Sequence, residues 1–190
     1  MHRDAFWTPV EETGIEHLRL DEDEAGVAAT GVVVGTNDDR PFRVYYEIDC
    51  DRRWHTRRVH VATLGRTAAS TTLRADGDGT WFDGRGEERP ALAGATDVDV
   101  SARPFTNLLP IRRLNLDAGE SAELTVAYVS VPELRIEADV QRYTCLDSLD
   151  EEGGRFRYDA VDGDFTAELA VDGDGLVVEY PGLFSRLDPS

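Results

Sequence analysis

Turn chemistry recurs along this chain at short intervals, and no stretch sustains the 3.6-residue apolar period of an amphipathic helix. The turn signals are an acidic tract, Asp21 to Glu24, leading to Gly26, then Asn37-Asp38-Asp39 before Pro41, Asp76-Gly77-Asp78-Gly79, Gly153-Gly154, Asp162-Gly163-Asp164 and Asp172-Gly173-Asp174-Gly175. Such clusters favour local side-chain-to-backbone bonding and left-handed backbone, the chemistry of hairpins. Between them lie β-branched and aromatic runs, including Glu16–Leu20, Val27–Val34, Phe42–Ile48, Trp54–Leu64 and Ser70–Ala75, then Thr80–Phe82, Thr96–Ser101, Ala122–Val131, Leu134–Tyr143, Phe156–Ala160, Phe165–Val171 and Leu176–Tyr180. The pattern predicts a mainly β, single-domain antiparallel meander of about ten strands over residues 1–190, curled or barrel-like.

Two of these runs carry facing information. In Leu134–Tyr143 the apolar Leu134, Ile136, Ala138 and Val140 alternate with Arg135, Glu137, Asp139 and Gln141, which predicts the apolar set as the inward face. Trp54–Leu64 mixes polar and apolar side chains on both faces, as suits a barrel wall beside a wet cavity.

One stretch does not fit a strand. Residues Arg103 to Leu116 read Arg-Pro-Phe-Thr-Asn-Leu-Leu-Pro-Ile-Arg-Arg-Leu-Asn-Leu. Pro104 and Pro110 fix their own φ and disfavour helical geometry at Arg103 and Leu109. Any helix in the chain belongs here and is short. The apolar load of Phe105, Leu108, Leu109, Ile111 and Leu114 is too heavy for an exposed loop. Two readings stand: a structural plug whose arginines pair with nearby carboxylates, or a pocket wall whose apolar side chains meet a ligand tail while an arginine meets its head.

Acidic residues outnumber basic ones 38 to 20, every basic residue among those 20 is arginine, and the net charge is −18. This balance fits a halophilic, acidic protein whose surface stays hydrated in concentrated salt. It also argues against nucleic acid as a partner, since no basic stripe outweighs it. No apolar run reaches the roughly 18 residues of a membrane helix, and no export signal follows Met1, so a cytoplasmic location is expected. Cys50 and Cys145 are read as buried free thiols. Among the histidines, His55 and His60 fall on opposite strand faces and are not expected to share a metal; neither a metal nor a cofactor is expected. No P-loop, nucleophile elbow or zinc-protease motif is present, and the Asp172-x-Asp174-Gly175 fragment lacks the rest of a calcium loop.

The connector Pro104-Phe105-Thr106-Asn107-Leu108-Leu109-Pro110-Ile111-Arg112-Arg113-Leu114 resembles the Thr-Asn-x-Leu-Pro-Ile-Arg-Arg-Leu signature of the putative glycolipid-binding family. In the family's order stand Ile48-Asp49-Cys50-Asp51, Trp54, Thr56 and Arg57, then Asp97-Val98-Asp99, Pro132 and Gln141-Arg142-Tyr143, followed by Phe156-Arg157-Tyr158, Phe165 and Tyr180-Pro181-Gly182-Leu183-Phe184. The resemblance implies an open, unclosed antiparallel β-barrel partly filled by a short helical connector, similar to bacterial lipoprotein carriers. It implies a lipid or glycolipid ligand in the hollow, bound without chemistry. Phe105, Leu108, Leu109 and Ile111 would line that hollow, beside Asn107, with Trp54, Trp81 or Tyr143 at its mouth. Arg57, Arg112 and Arg113 would hold a sugar or anionic head, unless Asp97 and Asp99 neutralise them. The alternatives are an enzyme that uses the same hollow, with an arginine polarising a substrate and Asp99 or His60 moving a proton, and a structural module with a filled barrel.

Overall fold

A computed structural model describes residues 2–37, 40–101 and 103–187. The strands are β1 (His2–Pro9), β2 (Gly14–Glu22), β3 (Val27–Asn37), β4 (Arg40–Cys50), β5 (Thr56–Thr63), β6 (Ser70–Ala75), β7 (Trp81–Asp83) and β8 (Asp97–Val100), followed by the connector. After it come β9 (Ser121–Val129), β10 (Ile136–Asp150), β11 (Gly153–Ala160), β12 (Thr166–Val171), β13 (Val177–Tyr180) and β14 (Phe184–Leu187). All join one sheet in the order β7-β6-β5-β4-β3-β2-β1-β14-β13-β12-β11-β10-β9-β8. The two outermost strands, β7 and β8, do not pair with each other, so the barrel is open. Fourteen strands replace the expected ten or so. Among the described residues the surplus includes β1, which precedes the first of the predicted runs, and the short β14, which follows the last. Part of the expected turn at Asn37-Asp38-Asp39 lies outside the described residues.

Every pairing is antiparallel except β8 with β9, which run parallel. A parallel pair needs a crossover connection, and the connector, spanning residues 101–120, is that crossover. It opens with Arg103 extended (φ −109°, ψ 124°), as a residue before proline should be, and Pro104 starts a 3-10 turn, Pro104–Asn107. Helix α1 (Leu108–Leu114) continues from it and stops at Asn115, whose left-handed backbone (φ 46°, ψ 54°) closes the helix. Leu109, expected to avoid helical geometry, is helical. Pro110 lies in the first turn, where a backbone N–H has no intrahelical acceptor to lose. No helix among the described residues is long and apolar enough to cross a membrane.

The core occupies the concave face of the sheet. Trp7, Leu18, Leu20, Tyr46, Ile48, Leu73 and Phe156 point into it from five strands, and Phe105, Leu108 and Leu109 meet them from the connector; all are at most 1% exposed. Tyr46 is the tie between wall and plug. Its ring crosses the face of Gly31 on β3, where a Cβ would lie only 2.0 Å from the ring. It stacks on Phe105 with centroids 6.0 Å apart and planes 7° from parallel. Its hydroxyl donates to the Glu16 carboxylate at 2.5 Å.

The inward face of β10 and the start of β5 differ from expectation. On β10 the inward residues are Gln141, Tyr143 and Cys145, with Asp139 half-buried in the same row, while Ala138 is exposed and Val140 half-buried. The reason is register: Tyr143 lies opposite Tyr158 and Gln141 opposite Leu124, and both partners face the core. Trp54 is no strand residue. Asp51 makes a tight turn there, its Oδ1 accepting the Arg53 and His55 N–H groups at 2.8 and 3.1 Å. The turn places Trp54 at φ 67° and folds its indole to 5% exposure. Cys50 and Cys145 are free and buried, and burial pushes the Cys50 thiol up to about 12.

Glu16 is the costly member of this core. It is 1% exposed, and its second carboxylate oxygen has no partner. Burial raises its pKa, against the pull of the Arg103 charge and the Tyr46 bond. The folded state therefore holds this proton more tightly than the unfolded state, so its contribution weakens as pH rises above the ordinary glutamate value of 4.5. Glu16→Gln removes that titration. Melting-temperature measurements of both proteins from pH 4.5 to 8 are expected to show the variant gaining on the parent as pH rises; a constant difference refutes the assignment.

Candidate functional site

Of the cavities that border the connector, two lie at its ends, and four of the nine candidate residues line one or the other. The first has a volume of about 260 Å³. Its walls are the rings of Tyr128 (β9), Tyr158 (β11), Tyr180 (β13) and Phe165, with Leu183, and its polar groups are Asp99 (β8), Arg103 and Asn107. Phe165 packs at 6.0 Å from Tyr158 and 6.2 Å from Tyr180 and remains 42% exposed, so it forms an accessible part of the wall.

Asp99 accepts hydrogen bonds from the Thr106 hydroxyl at 2.7 Å and the Gln141 amide at 2.8 Å. Burial nevertheless pushes its pKa up. No arginine among the described residues pairs with it. Burial, and then the nearby Asp99 charge, raise the pKa of Tyr128, Tyr158 and Tyr180, so the three phenols stay protonated. Arg103 lies between two aromatic faces, 5.8 Å from the Phe42 centroid and 5.5 Å from that of Phe184. Its Nε donates to the Ser101 carbonyl at 3.2 Å, and among the described residues it makes no ion pair. The cavity thus offers apolar faces with an acceptor, a cationic donor and an amide around them.

The second cavity, about 240 Å³, is lined by Trp54, Ile111, Arg112 and Asn115, with Asp117 and Leu149 among its other walls. The Arg112 guanidinium lies 5.2 Å from the Trp54 ring centroid.

Of the predicted site residues, Trp54, Ile111 and Arg112 therefore come together, while Asn107 belongs to the tyrosine cavity. Tyr143 stands behind that cavity: it is buried, packs edge-on to Tyr158 at 5.5 Å, and its hydroxyl donates to Asn107 Oδ1 at 2.9 Å. Phe105 and Leu109 line neither cavity; both are fully buried in the core. Arg57 is at the surface, bound to Asp51 at 2.7 Å and to the Asp76 carbonyl. Arg113 makes a bidentate pair with Asp97, at 3.0 Å to Oδ1 and 2.6 Å to Oδ2, and the Asp97 side chain is completely buried. The plug reading thus holds for Arg113, since losing one partner of such a pair leaves a buried charge at a cost of about 3–5 kcal/mol. Trp81, expected at a mouth, is fully buried and donates to the Ala95 carbonyl at 2.9 Å. His60 bonds Thr72 at 2.8 Å and lines neither cavity. No group of His, Cys, Asp or Glu among the described residues is arranged to hold a metal.

The cavity walls Arg103, Tyr128, Tyr158, Phe165, Tyr180 and Leu183 were not among the expected site residues, and Asp99 was expected only as a proton carrier in the enzyme alternative. The signal was nonetheless present, because Asp99, Tyr158, Phe165, Tyr180 and Leu183 all sit in the blocks that carry the family resemblance.

Fold and site together define an open β-barrel whose hollow is filled by its own connector, with small cavities left at the two ends of the plug. The model of the family described as putative glycolipid-binding matches residues 4–186, and the chain belongs to that family. A similar solved structure is the 1.80 Å crystal structure of a DUF1089-family protein from Pseudomonas aeruginosa, with 37% sequence identity, 92% of each chain covered and a TM-score of 0.83. No curated protein matches the chain.

Asn107 bonds in both directions, its amide donating to the Pro104 carbonyl at 3.3 Å while its oxygen accepts from Tyr143. Asn107→Ala strands both partners and is expected to cost about 1–3 kcal/mol in denaturant unfolding. A change near zero would show that neither bond holds in solution.

Proposed function

We propose that this protein binds an amphipathic ligand, a lipid or glycolipid, without transforming it, and that the tyrosine cavity holds the polar head. The observation that carries this reading is the wall itself, four aromatic rings enclosing Asp99, Arg103 and Asn107. Aromatic side chains present an apolar body with a polar tip, which suits a head group that has both C–H faces and hydroxyls. Asp99 accepts hydrogen bonds from hydroxyls, while Arg103 and Asn107 donate to ring or linkage oxygens. The family's description as putative glycolipid-binding supports the same class of ligand.

Size sets where the tail goes. Pockets for drug-sized ligands run roughly 300–1,000 Å³, so a cavity of about 260 Å³ admits a head group and little more. The core interior has no room, because Phe105, Leu108 and Leu109 already fill it. The tail therefore lies across the exposed ring of Phe165 and beside Leu183, where each methylene removed from water contributes up to about 0.8 kcal/mol.

Native mass spectrometry after purification in high salt, with lipid extraction in parallel, tests the reading. A co-purifying mass identified as a lipid or glycolipid supports it; a clean apo mass even after incubation with the host's own lipids overturns it. With a ligand in hand, Phe165→Ala is the selective variant, since its ring is already partly in solvent. Losing one aromatic contact of about 0.5–1.5 kcal/mol predicts a roughly two- to tenfold weaker Kd by titration calorimetry, with the melting temperature little changed.

A further inference from the structure

We propose that the second cavity, between Trp54 and Arg112, is a binding site for a singly charged anionic group, a phosphodiester or a carboxylate. This site is separate from the tyrosine cavity and does not depend on what binds there.

Arg112 has no counter-charge among the described residues. It is half-buried and held against the Trp54 ring, yet it makes no ion pair among the described residues, in a chain where carboxylates outnumber arginines 38 to 20. Its neighbour Arg113 shows the alternative, a bidentate pair with a buried aspartate. A guanidinium already partly stripped of water, with its donors unspent, is the usual recognition element for a carboxylate or phosphate.

Trp54 and Asn115 add further donors beside it. The indole N–H groups of Trp7 and Trp81 donate to the Val177 and Ala95 carbonyls. The Trp54 N–H has no acceptor among the described residues, and it keeps some contact with solvent although the residue is 5% exposed. Asn115, on the same wall, has an amide with no partner among the described residues. Arg112, Trp54 and the exposed Asn115 thus bring three side-chain donors without acceptors among the described residues to the lining of one cavity of about 240 Å³. Both Trp54 (φ 67°) and Asn115 (φ 46°) have left-handed backbone.

The charge of the ligand follows from the opposite term. Asp117 also lines the cavity, and the chain as a whole carries −18, so a second negative charge is opposed. A phosphodiester or carboxylate carries one charge; a phosphate monoester near neutral pH carries nearly two. Ile111 and Leu149 supply an apolar wall for whatever carbon bears the anion.

Nitrogen–proton NMR titration of the full chain at constant ionic strength provides the test, with dimethyl phosphate, acetate and glycerol as probes. Saturable shifts of the Trp54 indole and Arg112 Nε resonances are expected with dimethyl phosphate and acetate, with the Trp7 and Trp81 indoles unmoved. Arg112→Gln is expected to weaken binding at least tenfold. Arg112→Lys keeps the charge but loses the planar fork, and is expected to weaken it severalfold; it also serves should the glutamine variant fail to fold. Shifts that never saturate, equal shifts with glycerol, or binding unchanged in the arginine variants would overturn the site. Sedimentation with phosphatidylglycerol vesicles then separates the sources. Co-sedimentation lost in Arg112→Gln assigns the anion to a lipid head group; soluble binding without co-sedimentation assigns it to a free metabolite, and either supports the site.

Discussion

Because the sheet does not close, its concave face has no complete opposite wall, and some other element must keep that face dry. The connector does this. Phe105, Leu108 and Leu109 pack into the concavity with no exposure, and Phe105 is stacked on Tyr46, which Gly31 admits to the core by having no side chain. The parallel β8–β9 pair depends on the same segment, as does the burial of Asp97, whose charge Arg113 neutralises from the helix. Withdrawing the connector would expose a large apolar surface and leave a buried carboxylate unpaired, so the plug and the barrel form one structural unit.

This arrangement changes what binding can mean for the fold. An empty barrel could swallow a hydrocarbon chain, but this one has filled its interior with its own leucines and phenylalanine. What remains is at the two ends of the plug, where packing is interrupted by polar groups. The tyrosine cavity places a carboxylate, a guanidinium and an amide among aromatic faces; the Trp54–Arg112 cavity gathers donors. Recognition of head groups is therefore better served by the geometry than storage of tails.

Much of the fold was legible because hairpin turns and β-branched runs are local signals; the Ser70–Ala75 strand has the same limits in sequence and structure. The facing of β10 was not legible. Its apolar alternation pointed one way, but pairing with Tyr158 and Leu124 turned Gln141 and Tyr143 inward instead, and only tertiary neighbours could decide that. Trp54 was misplaced for a related reason, since Asp51 turns the chain just before β5 and the indole enters the core from a turn. The tyrosine cavity was the least legible of all. Its residues come from β8, β9, β11, β13 and the loops beside them, and no spacing within one segment reveals that the sheet's curvature brings them together.

The arginines show how structure divides residues that sequence treats alike. Arg112 and Arg113 are adjacent on a short helix, so they project in directions about 100° apart, and that rotation assigns them opposite tasks. Arg113 meets Asp97 and spends its donors on the core; Arg112 meets the face of Trp54, which holds the guanidinium in place while leaving its hydrogen-bonding edge unspent. Arg103, at the other end of the connector, repeats the second arrangement between Phe42 and Phe184. In a chain rich in carboxylates, aromatic faces position a cation without neutralising it. They are the means by which both cavities keep an available positive charge beside a net charge of −18.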